Sequence, residues 1–332
     1  MVQPLIISKH QSWLKPVFRY SSGAFRRTAC CSKRITPMWE SRQTRFSCGC
    51  MRSSKFTLSQ FVTIASMSLV QAENLVKTFA LGQNAFGTAS KNRVQAVNNV
   101  SLSIEPGETV GLVGESGSGK STLGRMLLRL IEPDSGSVHF DGRDVLAASG
   151  ADLRRLRRDM QIIFQDPYGS LDPRMTVEQV VCEPMAIHGS ECGSVQRSRA
   201  AEMLRAVGLD ESALHRYPHE FSGGQRQRIG MARVLMLRPR FIVADEPVSA
   251  LDVSVGAQIV NLLRQLQREF QLTYLLISHS LPVVRYLADR IAVMKHGELV
   301  EVGTTEQIVN APRHEYTRAL LAATPELEAA ST

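Results

Sequence analysis

Short apolar runs alternate with amphipathic stretches from Leu69 onward. Phe241–Ala244 is apolar throughout, as is typical of a strand in a parallel sheet covered on both faces. Such alternation predicts an α/β layered fold. We predict strands at Leu69–Phe79, Val97–Ile104, Glu108–Val113, Gly136–Phe140, Gln161–Phe164, Phe241–Ala244, Thr273–Ile277, Ile291–Met294 and Glu298–Val302, and helices at Ser121–Ile131, Gln196–Val207, Gln225–Leu237 and Val255–Phe270.

The segment from Pro167 to Leu237 breaks the alternation because it is largely helical. It therefore predicts a helical insertion at about residues 167–237. With 332 residues, 43% of them hydrophobic, the chain is long enough for one large domain or two small ones, and its composition excludes a collagen-like, mostly disordered or disulfide-stapled protein. The longest uncharged stretch, Phe56 to Ala72, is too short and too polar to span a bilayer.

The net charge of +8 is located in one segment. Residues 1–66 hold 11 Lys or Arg and one acid, Glu40, so they carry +10, and the other 266 residues carry −2. The whole-chain charge is therefore no argument for nucleic-acid binding.

Residues 1–66 show no sustained apolar period, and we expect a basic, disordered extension. Three interpretations are open: an organellar transit peptide, a basic arm that contacts a membrane or nucleic acid, and a translation start at Met67. We favour the start at Met67, because patterned sequence begins there. The cysteine pairs Cys30-Cys31 and Cys48/Cys50 lack the usual CxxC spacing and a nearby histidine, so we do not predict a zinc site.

A glycine-rich loop follows the predicted strand Glu108–Val113 and precedes a predicted helix. Its sequence fits GxxxxGK[ST], in which backbone N–H groups and the helix N-terminus bind phosphate. Lys120 is expected to neutralise the β- and γ-phosphates of ATP, and Ser121 to bind Mg²⁺. The predicted nucleotide-binding residues of this loop are Gly114, Glu115, Ser116, Gly117, Ser118, Gly119, Lys120, Ser121 and Thr122.

Two acids end the apolar strand Phe241–Ala244. Asp245 is expected to hold Mg²⁺ through water and Glu246 to polarise the attacking water. A strand followed by two acids is common in proteins, so this assignment depends on the phosphate loop upstream.

Phe221-Ser-Gly-Gly-Gln225 and the following Arg-Gln-Arg resemble the signature of the ABC-transporter ATPases. The resemblance extends over nearly all of residues 69–322. Further matches to family motifs are Gln165 (Q-loop, a Mg²⁺ ligand), Asp252 (D-loop), His279 (switch histidine, catalytic) and Phe79 (adenine stacking, which competes with a core role). The resemblance implies a P-loop NTPase (RecA-like) core at 67–310, with an N-terminal antiparallel β subdomain and the inserted helical subdomain.

The signature residues Ser222, Gly223, Gly224 and Gln225 open a helix, so their N–H groups form a second anion site. In the family this site binds the ATP held by a second ATPase, head to tail. The resemblance therefore implies a dimer, either of two copies or of two paralogues.

Two segments indicate which subfamily of the ABC-transporter ATPases this chain resembles. The run from Phe164 to Val177 and the C-terminal segment 311–332, with Ala311-Pro-Arg-His-Glu-Tyr, are similar to the oligopeptide/dipeptide importer ATPases. Ser280 and Glu315 depart from that pattern, where Asp and Pro are usual, which weakens the cargo assignment. The resemblance implies two permease subunits, an extracytoplasmic binding protein, and a peripheral location at the cytoplasmic face of a bacterial membrane.

Other functions remain alternatives. The same subfamily includes nickel and glutathione importers. A nucleic-acid-associated ABC ATPase would carry coiled-coil heptads or zinc modules between phosphate loop and signature, and this chain has neither, so we expect no nucleic-acid partner. A regulatory module without turnover is disfavoured by the intact Lys120, Asp245, Glu246 and His279.

Overall fold

Two β-sheets and a group of helices make up the part of the chain that the computed structural model describes, residues 68–80, 93–166, 169–189 and 193–323. The predictions for residues 1–66, including the Met67 start and the rejected zinc site, lie outside the described residues. The strands are β1 Val70–Ala80, β2 Arg93–Ile104, β3 Thr109–Val113, β4 Ser135–Phe140, β5 Arg143–Asp144, β6 Met160–Ile163, β7 Phe241–Asp245, β8 Thr273–Ile277, β9 Arg290–Lys295 and β10 Glu298–Thr304. The helices are α1 Lys120–Leu127, α2 Gly150–Asp159, α3 Val177–Ile187, α4 Gly193–Ala206, α5 Gly223–Leu235, α6 Val253–Phe270, α7 Leu281–Leu287, α8 Thr305–Asn310 and α9 Glu315–Ala322, with short 3-10 turns at Glu211–His215 and Pro218–Glu220.

The smaller sheet is antiparallel, with strand order β2-β1-β4-β5. Its strands alternate buried and exposed side chains, for example Val70 and Ala72 buried with Gln71 exposed between them. Its buried face shares one apolar cluster with α1 and the second sheet. This is the antiparallel subdomain that the family resemblance implied.

The larger sheet has six strands in the order β10-β9-β3-β8-β7-β6. Five are parallel, and β10 pairs with β9 in the antiparallel sense. Every residue of β3, β7 and β8 is buried, which explains why these segments lack polar alternation. Because β3, β6, β7 and β8 are parallel, the loops after their carboxyl ends meet at one edge of the sheet.

The helical subdomain contains α3, α4 and α5 around its own apolar cluster, which includes Val181, Leu204 and Ile229. Capping boxes begin α3 at Thr176 and α5 at Ser222. The α/β fold and the helical insertion are therefore confirmed. No helix in the described ranges has the length and apolar character needed to cross a bilayer.

The predicted element bounds need several corrections. The helix predicted to run to Ile131 ends at Leu127, because Arg129 takes a left-handed conformation with φ 49°. Strand β2 begins at Arg93, four residues before its predicted start, and the signature helix α5 begins at Gly223. The strand prediction omitted β5, which is only two residues long.

Candidate active site

The phosphate loop joins β3 to α1 and is shaped by glycine. Gly114 has φ 150°, and a Cβ there would lie 2.0 Å from the Met294 carbonyl oxygen. Gly119 has φ 104°, and its Cβ would lie 2.0 Å from the Ala96 carbonyl oxygen. Both neighbours are backbone atoms, so only glycine fits at these two positions.

The first turn of α1 is left uncapped. Gly119 precedes it in a left-handed conformation, with no side-chain cap and no acidic residue in the first turn. In α5, by contrast, Ser222 and Gln225 cap the helix with reciprocal hydrogen bonds. The N–H groups and positive end of α1 are therefore available to an anion.

Lys120 lies under the loop and is only 5% exposed. Its ammonium donates to the carbonyl oxygens of Gly114 at 2.8 Å and Glu115 at 2.6 Å, and to Ser118 Oγ at 3.2 Å. Burial lowers the pKa of Lys120, although the carboxylates of Glu246 and Asp245 act in the opposite direction. The structure thus presents a buried cation inside the loop, where it can exchange loop oxygens for phosphate oxygens.

Ser121 and Asp245 face each other across the loop. Ser121 Oγ donates to Asp245 Oδ1 at 2.7 Å, and Arg125 Nη2 lies 3.6 Å from Asp245 Oδ2. The Asp245 side chain is 3% exposed. A hydroxyl and a buried carboxylate are the oxygen ligands that Mg²⁺ prefers, so these residues fit the metal.

Glu246 is contacted by two other predicted site residues. Gln165 Nε2 donates to Glu246 Oε2 at 2.9 Å, and His279 Nδ1 lies 3.3 Å from the same oxygen. Glu246 adopts a left-handed conformation with φ 48°, and its N–H donates to the Ile277 carbonyl at 2.9 Å. The ends of β6 and β8 therefore place two polar side chains around one carboxylate oxygen at the end of β7.

The signature residues Ser222 and Gln225 and the D-loop residue Asp252 lie on exposed surface. Ser222 and Gln225 are exposed, and within the described part of the chain their side chains bond to each other's backbone rather than to the phosphate loop. Gly224 is buried, and a Cβ there would lie 2.3 Å from Val255 Cγ1. Asp252 precedes α6 with no side-chain cap, and Val253 beside it is 90% exposed.

Phe79 and three arginines of α2 also have exposed side chains. Phe79 is 38% exposed at the end of β1, which does not match a core role. The arginines Arg154, Arg155 and Arg158 lie on the exposed face of α2, which is typical of a solvated helix. Within the described ranges, no group of three His, Cys, Asp or Glu side chains is placed to hold a metal ion.

Sequence reasoning missed two residues at the site. Arg125 lies four residues after Ser121 on α1, a spacing that places both on one helix face, so it could have been identified. Tyr316 Oη accepts a hydrogen bond from the Glu115 N–H at 3.1 Å, and no sequence signal links α9 to the loop.

A phosphate loop, an acidic strand end and a separate exposed signature, on a mixed sheet with antiparallel and helical subdomains, define an ATP-binding cassette ATPase. Family models described as "ABC transporter" and "Oligopeptide/dipeptide transporter, C-terminal region" match residues 97–249 and 300–332. The chain belongs to the ABC transporter ATP-binding proteins, in the oligopeptide/dipeptide importer subfamily.

Individual relatives agree with this membership. The dipeptide transport ATP-binding protein DppF of Lactococcus lactis subsp. cremoris is 50% identical over 260 residues, 77% of this chain and 81% of that protein. The glutathione import ATP-binding protein GsiA of Salmonella typhimurium is 50% identical over 268 residues, which cover 81% of this chain but 43% of that protein. A solved dimeric ATP-binding cassette, in a post-hydrolysis state with ADP and Pi, is 33% identical with a TM-score of 0.63, covering 71% of this chain and 98% of its own.

Proposed function

We propose that this chain is the ATP-hydrolysing subunit of an importer for di- and oligopeptides. The observation that carries the proposal is the meeting of Lys120, Asp245, Glu246, Gln165 and His279 at one sheet edge, in a chain with the peptide-importer C-terminal region. Glutathione is itself a small peptide, so the likeness to GsiA supports the same cargo class. Nickel is the weaker cargo, and no observation favours it.

The site residues have distinct roles in ATP hydrolysis. The loop N–H groups, with Lys120, bind and orient the phosphates. Ser121, Asp245 and the side-chain carbonyl of Gln165 would hold Mg²⁺, which would neutralise charge on the phosphates. Glu246 accepts the proton of the attacking water, and His279 lies beside it to bond the transferred phosphate. Phe79 offers an exposed ring for the adenine.

A second ATPase completes each site. The exposed signature residues Ser222 and Gln225, together with the exposed Asp252 and Val253, would bind the partner's nucleotide and surface. The dimeric state of a solved cassette that this chain resembles supports a pair of ATPases. The partner is either a second copy of this chain or a paralogue, and both alternatives fit the proposal.

A groove beside the Q-loop offers a docking surface for a permease. It encloses about 260 Å³ and is lined by residues of β6, α3, α5 and the loop between β6 and α3, including Ile163, Leu171 and Val234. At its rim, Phe164 is 43% and Ile187 56% exposed. Two exposed apolar side chains around a groove next to Gln165 fit an apolar helix of a membrane subunit. Binding there would couple the permease to Glu246 through Gln165 and locate the chain at the cytoplasmic face of the membrane.

The test is a partner census. The native protein is purified from detergent-solubilised membranes, with a nuclease-treated sample alongside, and co-purifying chains are identified by mass spectrometry. Two multi-span permeases and a related ATPase, with peptide-stimulated ATP hydrolysis once a binding protein is added, are expected. Recovery with nucleic acid, and loss of the complex after nuclease, would overturn the transport proposal.

An Ile187→Asp variant sharpens the docking test. A carboxylate on the groove rim should release the permeases and leave ATP binding unchanged, because Ile187 lies outside the nucleotide site. Val195→Asp is the matched control, since Val195 is similarly exposed on α4, at 47%. Equal permease recovery from both variants would remove the groove from the proposal.

A further inference from the structure

The C-terminal helix α9 contacts the phosphate loop directly. Tyr316 lies in its first turn, is 7% exposed, and accepts a hydrogen bond from the Glu115 N–H at 3.1 Å. The Lys295 ammonium lies 4.7 Å from the centroid of its ring. Tyr316 also shares an apolar cluster with Val113, the residue immediately before the loop. The tyrosine is therefore held between the sheet and the loop.

Tyr316 is hydrogen-bonded to a peptide group that is also hydrogen-bonded to Lys120. The Glu115 N–H and the Gly114 carbonyl belong to one peptide unit, since they flank the same C–N bond. The carbonyl accepts from Lys120 Nζ at 2.8 Å, while the N–H donates to Tyr316. A rotation of this peptide plane would break both hydrogen bonds together.

The position of α9 is itself fixed by hydrogen bonds. Glu301 on β10 accepts from the N–H groups of Arg313 at 2.8 Å and His314 at 3.1 Å. His314 Nδ1 in turn accepts from the Tyr316 N–H at 3.1 Å. These contacts leave the Tyr316 ring little freedom to move away from the loop.

We propose that Tyr316 is a positioning residue for the phosphate loop, which holds the Gly114–Glu115 peptide in the orientation that binds ATP and so determines nucleotide affinity. The inference rests on the proposed nucleotide site. It assigns the C-terminal segment a role in the ATPase cycle: contacts that displace α9 would weaken ATP binding. Burial raises the pKa of the Tyr316 hydroxyl, so the hydroxyl stays neutral across the physiological range.

The test separates affinity from turnover. Tyr316→Phe keeps the ring and its contact with Lys295 but leaves the Glu115 N–H without its acceptor. We expect the Kd for a non-hydrolysable ATP analogue with Mg²⁺, measured by calorimetry on the full chain, to rise about 3- to 10-fold. The kcat at saturating ATP should stay within about twofold, because Gln165, Glu246 and His279 lie on other loops.

Two further variants keep the test decisive. Tyr286→Phe is the matched control: it removes an exposed hydroxyl that donates to Asn261 Oδ1 at 2.8 Å, and its Kd should equal that of the wild type. Glu301→Ala loosens α9 without altering a group that touches the loop, and it should raise the Kd in the same direction. This variant decides the question if Tyr316→Phe does not fold.

The outcomes distinguish this inference from the proposed function. If the wild type binds the analogue, Lys120→Ala does not, and Tyr316→Phe binds as tightly as the wild type, the inference alone is overturned. A wild type that binds no analogue overturns the nucleotide site and the inference with it. A fall in kcat that exceeds the loss of affinity would also overturn positioning, since it would place Tyr316 in the chemical step.

Discussion

Gln165 donates its side-chain amide to Glu246 Oε2 at 2.9 Å, which ties the end of β6 to the end of β7. His279 Nδ1 lies 3.3 Å from the same oxygen. One carboxylate oxygen is therefore shared by the second residue after β6, in the loop that leads to the helical subdomain, and by the second residue after β8. Movement of the helical subdomain would therefore displace Glu246 through the hydrogen bond from Gln165.

Replacing Glu246 with glutamine should stop hydrolysis while preserving ATP binding. The amide keeps the size and the hydrogen-bonding capacity of the side chain but cannot accept the proton of the attacking water. We expect turnover to fall about 100-fold or more and an ATP-bound dimer to accumulate. Phosphate release and size-exclusion chromatography with ATP measure both effects.

The matched control for that variant is Glu269→Gln, an exposed carboxylate of α6 away from the loop. Its turnover should equal that of the wild type. Wild-type turnover in Glu246→Gln would remove Glu246 as the base.

Local pattern predicted the parallel strands and the phosphate loop, because a short apolar run and a glycine-rich motif are recognised without information from distant residues. Asp245 and Glu246 were predicted from the strand end and the phosphate loop upstream, whereas Gln165 and His279 followed from the family resemblance, since strand order is set by long-range pairing. The contact between Tyr316 and Glu115 could not be predicted. It depends on the path of β10 and α8, which brings α9 back to the loop.

The end of α1 shows another limit of sequence patterns. Leu128, Leu130 and Ile131 continue the apolar spacing of the helix, so the pattern predicted further turns. The structure instead places Arg129 in a left-handed conformation, and its guanidinium donates to the carbonyls of Val145 and Ala148. A tertiary contact outweighs the local helical preference there.

Lys120→Met should abolish nucleotide binding without destabilising the protein. The lowered pKa of Lys120 means that the fold disfavours its charged form, so below that pKa the lysine contributes a cost to stability. Methionine has similar length and no charge. We expect an equal or higher thermal midpoint at pH 7 and loss of more than about 100-fold in ATP affinity, because the phosphates lose their buried cation.

The difference in thermal midpoint between the wild type and Lys120→Met should depend on pH. As pH rises through the lowered pKa towards the ordinary lysine value of about 10.4, the wild-type cost disappears, so its midpoint should approach that of Lys120→Met. Differential scanning fluorimetry across pH 7 to 10 measures the difference. The account would be contradicted if the midpoint of Lys120→Met lay well below that of the wild type at pH 7 and the difference were unchanged at pH 10.

Val253→Asp should block the dimer and leave ATP binding intact. Val253 is 90% exposed beside Asp252, and the proposed partner would cover it. A carboxylate there would be desolvated in the interface next to another acid. In the Glu246→Gln background we expect the ATP-bound dimer to weaken about 10-fold or more.

Val302→Asp provides the matched control, since Val302 is exposed at 42% on the edge strand β10. Its ATP-bound dimer should form as in the parent. Equal dimerisation of the two variants would show that Val253 lies outside the interface.

The attachment of α9 should weaken in acid. Burial by itself would raise the pKa of Glu301, but polar groups of residues 313–317, including the Arg313 and His314 N–H groups, lower it overall. A carboxyl with a lowered pKa contributes stability that is present above its unfolded value of about 4.3 and is lost as pH falls through the folded value. Glu301→Gln removes that titration while retaining an oxygen that can accept one hydrogen bond.

We therefore expect the wild type to be more stable than Glu301→Gln at pH 7, by about 1 kcal/mol in urea unfolding, with the difference shrinking below about pH 4.3. The analogue's Kd should rise over the same acidic range in the wild type more than in the variant, because α9 positions the loop through Tyr316. Glu269→Gln, which changes an exposed carboxylate, should follow the wild type throughout. A stability difference that stays constant from pH 7 to pH 3.5 would show that Glu301 holds α9 by packing rather than by its charge.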